Sequence, residues 1–225
     1  GLAVGAYGLT QASLQIPMGW LSDRVDRRVV IILGLAMLVL GSVVAALSTS
    51  IWGVVLGRFL QGAGAIASAT MALVADYTRA EQRAKASAII GGSIAIAFGI
   101  ALVLGPALAS FGGLQAVFAA TAMLALLGMV VVAFLPKPQR FSREELSSGS
   151  GFQRSRLAQV LSIRSLNVMY LSIFFLHLTL MAVFVVVPTS LEVEAGIALE
   201  QHAFVYLGAL LCSIPGIYWL VHGRR

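Results

Sequence analysis

The sequence predicts an all-α membrane protein with about seven transmembrane helices. Three observations predict it. Of 225 residues, 59% are hydrophobic and 11% charged, with a mean hydropathy of +0.95. A soluble domain carries about 25% charged residues to cover its surface. Apolar stretches recur at 1–21, 29–48, 51–75, 85–109, 114–135, 166–188 and 203–221, each near the roughly 20 residues a helix needs to cross a bilayer. Basic residues fill alternate breaks between these stretches. The composition excludes a secreted disulfide scaffold, a disordered chain and a typical cytosolic enzyme. The single cysteine, Cys212, cannot close an internal disulfide.

Helix is the expected form for each span, because backbone groups inside lipid must satisfy one another within the segment. The first span opens apolar from Gly1 with no short basic region ahead of it, unlike a secretory signal. The chain therefore reads as cut from a longer protein. Loop 22–28 holds Arg24, Arg27 and Arg28, and the break near Thr49 holds no basic residue. Loop 76–85 holds Arg79, Arg83 and Lys85, and the break at Gly112 and Gly113 again holds none. Loop 136–165 holds Lys137, Arg140, Arg143, Arg154, Arg156 and Arg164. Loop 189–202 carries only acids, Glu192, Glu194 and Glu200, and the chain ends on Arg224 and Arg225. Fourteen of the 15 basic residues thus lie on alternate loops, which the positive-inside rule makes cytoplasmic. In a soluble protein a pI near 10.1 would point to nucleic acid; here it reports topology, and no nucleic-acid partner is expected.

This divides the chain into an N-terminal transmembrane bundle (1–135), a cytoplasmic linker (136–165) and the start of a second bundle (166–225). The linker contains Ser147-Ser148-Gly149-Ser150-Gly151 and a surplus of basic residues. Two readings of it stand. One is an unstructured tether. The other is a short amphipathic helix on the membrane surface, built on Leu157, Val160 and Leu161 beside Arg156 and Arg164.

Three motifs carry more than topology. The first is Gly19-Trp20-Leu21-Ser22-Asp23-Arg24-Val25-Asp26-Arg27-Arg28. Gly19 allows close helix approach, and Asp23 among three arginines can accept charge-assisted hydrogen bonds. The run resembles the G-x-L-S-D-R-x-G-R-R/K signature of the major facilitator superfamily, with Asp26 in place of the usual glycine. The resemblance implies a conformational latch built on Gly19, Asp23, Arg24, Arg27 and Arg28, with Asp76 at the end of the third span.

The second motif is Arg58-Phe59-Leu60-Gln61-Gly62, which resembles the superfamily's R-x-x-Q-G signature. Arg58 is the fifteenth basic residue, and a charge at that depth is costly, so its default reading is functional. At about 100° per residue, Arg58, Gly62, Ala65, Ala69, Ala72 and Asp76 fall within about 40° of one line. Small residues there permit either tight helix contact or a water-filled cavity. Arg58 with Gln61 either lines a polar path and tunes the proton affinity of a nearby acid, or is a structural arginine satisfied by backbone carbonyls.

The third motif, Gly92, Gly105 and Pro106, partly matches the superfamily's antiporter signature on its fifth helix. Ala101, Ala109 and Ser110 stand where glycines are usual. Small residues and a proline kink would let this helix bend against a neighbour. Tyr7-Gly8-Leu9-Thr10-Gln11-Ala12, Gln15-Ile16-Pro17 and Ser50-Ile51-Trp52-Gly53 resemble in particular the YajR-type group of bacterial inner-membrane drug-efflux homologues. The likeness covers nearly the whole chain and implies a partial major facilitator superfamily bundle, helices 2 to 8 of twelve. A faint echo supports two parallel halves: Ile16-Pro17 ahead of Trp20-Leu21 and Arg27-Arg28 is repeated by Ile214-Pro215 ahead of Trp219-Leu220 and Arg224-Arg225.

On the sixth span Asn167, Tyr170, Phe174, His177, Met181 and Phe184 recur at helical spacing. By resemblance this helix lines the transport path, with Tyr170, Phe174 and His177 as contacts. Aromatic and methionine side chains suit an apolar cargo. His177 either titrates within the path or is a hydrogen-bonded residue of a packed interface. Tyr7, Gln11 and Gln15 make a polar stripe best read as helix packing. No Asp or Glu lies inside a span, which puts the proton-coupling acid on a helix outside this stretch, helix 1 by resemblance.

The family likeness therefore implies a secondary active transporter, not an enzyme. It exports small apolar or cationic compounds by alternating access, is driven by the proton gradient and carries no cofactor or metal. A multi-pass monomer in the bacterial inner membrane is expected, its partners a small-molecule substrate and the lipid bilayer. The alternatives are uptake of a sugar or organic anion, and a transport-incompetent fragment.

Overall fold

The described residues form helices joined by short connections. The computed structural model describes residues 1–136, 162–198 and 201–222, with no strand among them. The helices are α1 (Leu2–Arg24), α2 (Arg27–Leu47), α3 (Ile51–Ala63), α4 (Ala67–Tyr77), α5 (Arg83–Phe134), α6 (Arg164–Val193) and α7 (His202–His222). A 3-10 turn, Ala80–Gln82, leads into α5. The chain divides into two compact units, Gly1–Leu146 and Ser147–Arg225. Lys137, Arg140, Arg143, Arg154, Arg156, the amphipathic segment around Leu157, Val160 and Leu161, Glu200, Arg224 and Arg225 lie outside the described residues.

Short polar side chains set the helix ends. Asp26 caps α2, its Oδ1 accepting from the Arg28 amide at 3.0 Å. Ser50 caps α3, its Oγ accepting from the Gly53 amide at 3.2 Å. A capping oxygen satisfies one of the orphan amides of a first turn. These caps produce the expected breaks at 22–28 and near Thr49.

The third span departs from expectation. It is two helices, with α3 ending at Ala63 and α4 starting at Ala67. Gly64 passes so close to Gly34 that a side chain there would collide with the Gly34 carbonyl oxygen. The break occurs at this close approach to α2.

The fourth and fifth spans join in α5, which bends at Gly112 and Gly113. Gly113 has φ +63°, a left-handed conformation that favours glycine. A straight helix of 52 residues would run about 78 Å. Both ends of α5 nevertheless lie near the end of α4: Arg83 follows Tyr77 after a short turn, and the Tyr77 hydroxyl donates to the carbonyl of Pro136. The helix therefore folds back at the two glycines. The sixth span runs on through Pro188 to Val193, beyond the expected 188.

Four helical segments among the described residues are long and apolar enough to cross a membrane: Arg27–Leu47, Ile51–Tyr77 taken across its break, Ala80–Phe134 and Arg164–Val193. The third is long enough for two passes. α1 spans about 34 Å, which suffices, but Thr10, Gln11, Ser13 and Gln15 dilute its apolar character. α7 contributes a shorter apolar run, Phe204–Ser213.

In the first unit α2 is central, packing on α3 and on the second arm of α5, while α1 packs on α3. Val30, Ile31, Leu35, Ala69, Leu73 and Ala125 form its core. Val30 and Ile31 open α2 and Leu73 lies near the end of α4, so this core sits toward the basic-loop end and anchors the charged residues there.

Candidate functional site

Only Val25 and Asp26 separate α1 from α2, so Arg27 and Arg28 occupy the first turn of α2. Cations are unfavourable at a helix N-terminus, and each arginine finds an acid. Arg27 Nη1 lies 2.7 Å from Asp76 Oδ1 and donates to the Ala72 carbonyl. Its Nη2 lies 3.4 Å from Asp23 Oδ1. Arg28 Nη2 lies 2.8 Å from Asp26 Oδ2, and its Nη1 donates to the Leu135 carbonyl at 3.0 Å. Arg24 stacks on Trp20, with Cζ 3.7 Å from the ring centroid. The three arginines are therefore spread over separate partners, Trp20, Asp76 and Asp26 chief among them, rather than gathered around Asp23. Gly19 faces Ser68 of α4, where an added Cβ would lie 3.1 Å from the hydroxyl.

Elsewhere in the first unit, Arg58 of α3 meets α1. Its guanidinium sits over the Tyr7 ring, Cζ 4.4 Å from the centroid, within cation–π range. Its Nη1 donates to Gln61 Oε1 at 2.7 Å. Gln61 Nε2 donates to Ser42 Oγ at 2.7 Å, and Ser42 Oγ donates to the Leu38 carbonyl at 2.6 Å. Gln61 is 3% exposed and Ser42 0%. Tight packing encloses this chain. A Cβ at Gly41 would lie 2.5 Å from the Gly57 carbonyl oxygen, and one at Gly62 would collide with the Tyr7 carbonyl oxygen. Gly62, Ala65 and Ala69 are buried, so at these positions the small-residue face serves tight contact rather than a cavity.

Gly92 and Gly105 sit on the first arm of α5, where an added Cβ meets no atom within 4 Å. The helix continues through Pro106 to the turn at Gly112. In the second unit, Tyr170 and Phe174 are exposed on α6. His177 Nδ1 lies 3.0 Å from the Ile173 carbonyl of its own helix. Among the described residues no group of three or more His, Cys, Asp or Glu could hold a metal ion.

Sequence reasoning missed Ser42, the capping role of Asp26, and the Leu135 and Pro136 carbonyls. Asp26 two residues ahead of Arg28, at the start of an apolar run, is a cap signature that could have been read. A lone serine in an apolar helix carries no sign of its partner.

The Major Facilitator Superfamily profile matches residues 1–224. The chain is 44% identical over 217 residues to the inner membrane transport protein YajR of Escherichia coli K12, covering 96% of this chain and 47% of that protein. It is 39% identical over 216 residues to an uncharacterized transporter of Buchnera aphidicola, covering 95% and 54%. It is 31% identical over 157 residues to the class B tetracycline resistance protein of Escherichia coli, covering 68% and 38%. The chain spans about half the length of the first two relatives. These relatives are transporters or a resistance protein by name, none an enzyme. With its match from end to end and its arginine signatures at Arg27 and Arg58, the chain belongs to the major facilitator superfamily.

Proposed function

We propose that this chain is part of a proton-coupled exporter of small apolar or cationic compounds, working by alternating access in a bacterial inner membrane. One observation carries the reading. Arg58, a charge within a span, is held by the Tyr7 ring and a buried hydrogen-bond chain rather than by an ion pair among the described residues. An intramembrane charge without a structural counter-ion is poised to act on a proton-carrying group or on cargo. We assign Arg58, with Gln61 holding it, to the transport path of the first bundle, and Tyr170, Phe174 and His177 to cargo contact in the second. The Arg27–Asp76 pair, with Asp23, Arg24, Arg28 and Gly19 around it, is the cytoplasmic latch. Gly92, Gly105 and Pro106 form the bending helix. The proton gradient supplies the energy, no cofactor takes part, and the protein acts as a monomer. Similarity to a tetracycline resistance protein supports export.

The test is flux in liposomes holding the protein as its gene encodes it, with tetraphenylphosphonium as a probe cation. A pH gradient should drive the cation against the proton flow, and Arg58→Ala should slow it by at least about tenfold. An undiminished rate in Arg58→Ala overturns the role of Arg58. No gradient-driven movement overturns export of this cargo class, and movement of a sugar or organic anion instead establishes uptake.

A further inference from the structure

Resting on the reading that Arg58 acts on the transport path, we propose that Ser42 is a positioning residue. Its hydroxyl fixes the Gln61 amide, and that amide holds the Arg58 guanidinium over Tyr7. Ser42 belongs to α2, matches no signature, and is linked to Arg58 through Gln61.

The argument is one of donor and acceptor order. A guanidinium only donates, so Gln61 must present its oxygen to Arg58. The Gln61 NH2 then faces away and needs an acceptor inside a tightly packed seam. Ser42 Oγ supplies it, because its one proton is committed to the Leu38 carbonyl and its lone pairs remain available. The chain therefore runs one way, from the charge through the amide and hydroxyl to a backbone carbonyl. If the amide flipped, its NH2 would face guanidinium donors and its oxygen would face a hydroxyl already committed to Leu38. Burial excludes water that could rescue the flipped form: Ser42 is 0% and Gln61 3% exposed. The Gly41–Gly57 approach brings α2 close enough to α3 for a side chain as short as serine to reach Gln61.

Two variants remove the hold without touching Arg58. Ser42→Ala deletes the acceptor at almost constant volume. Gln61→Leu deletes the amide, while Ser42 keeps its bond to Leu38. Nitrogen-15 NMR of arginine-labelled protein in bilayers reads Arg58 directly, its signals identified by subtracting the Arg58→Lys spectrum. The wild type should show separate Nη signals, because one Nη is held by Gln61. Both variants should merge them into one averaged signal, and Ser42→Thr, which keeps the hydroxyl, should retain them. In the liposome assay Ser42→Ala should lower the maximal rate about 3- to 10-fold with KM unchanged, as expected when a positioned group is lost and ground-state binding is not.

Separate Nη signals in Ser42→Ala overturn the proposal, whatever Gln61→Leu shows. Merged signals with an unchanged maximal rate, in a protein that Arg58→Ala does impair, overturn its functional half. If Arg58→Ala leaves flux intact, the transport role of Arg58 fails, and the NMR result separately decides whether Ser42 sets the arginine's position.

Discussion

Arg27 of α2 and Asp76 of α4 are joined at 2.7 Å, although they stand 49 positions apart in the chain. Their side chains are only 15% and 20% exposed, while Asp23, the other acid near Arg27, is 53% exposed and 3.4 Å away. A partly buried pair loses less to solvent screening than an exposed one. Asp76→Asn should therefore destabilise the first unit by about 1–2 kcal/mol, between the exposed and buried limits. Asp23→Asn should cost less than about 0.5 kcal/mol. Thermal melts of the two variants in detergent check the order, and a larger loss for Asp23→Asn would sink this assignment of Arg27's main partner.

Glycines in this chain divide into two kinds, and substitution should separate them. A Cβ at Gly57 would lie 2.6 Å from the Gly41 carbonyl oxygen and 2.7 Å from the Ala45 Cβ. No flexible side chain can yield there, so Gly57→Ala forces α2 and α3 apart and should cost at least about 3 kcal/mol, the upper range of overpacking. Gly92→Ala and Gly105→Ala meet open space in the first unit. They should be neutral or gain up to about 1 kcal/mol from helix propensity. Folded yield and melting temperature report both. A Gly57→Ala variant with wild-type melting would contradict the close approach.

That division also shows what could be read in advance. The breaks at Thr49 and at Gly112–Gly113 were legible because serine caps and paired glycines act locally. The break at Gly64 was not, because the sequence reads as one continuous span from 51 to 75, and what interrupts it is Gly34 on another helix. The same holds for the site. Arg58 and Gln61 stood out as polar residues in a span, and their bond is a local one between neighbouring turns. Ser42 did not, because its pairing depends on the register of α2 against α3. One signal was present: glycines at 34 and 41, and again at 57 and 64, share a seven-residue spacing, and in the structure Gly34 meets Gly64 and Gly41 meets Gly57.

The cation–π contact makes a separate prediction. Tyr7→Phe keeps a ring under Arg58 and should leave its position unchanged, since the guanidinium lies over the ring face. Tyr7→Leu removes the face and should cost about 0.5–2 kcal/mol. Melting of the two variants distinguishes them, and equal losses would show that the hydroxyl, not the ring, carries the contact.

Asp26 stands where the family signature has glycine, and its two oxygens do two things. Oδ1 accepts from the Arg28 amide as the α2 cap and also from Arg28 Nε at 3.3 Å, and Oδ2 pairs with Arg28 Nη2 at 2.8 Å. Asp26 is 43% exposed and only two residues from Arg28, so the pair should contribute little. The cap satisfies an amide that α2 cannot satisfy itself and should dominate. Asp26→Asn keeps a capping oxygen and should be nearly neutral, Asp26→Gly should lose a few tenths of a kcal/mol, and Asp26→Ala about 1 kcal/mol. Amide exchange across residues 27–31 should follow the same order, fastest in Asp26→Ala. If Asp26→Asn exchanges as fast as Asp26→Ala, the carboxylate's charge on Arg28 holds the helix start and the cap does not.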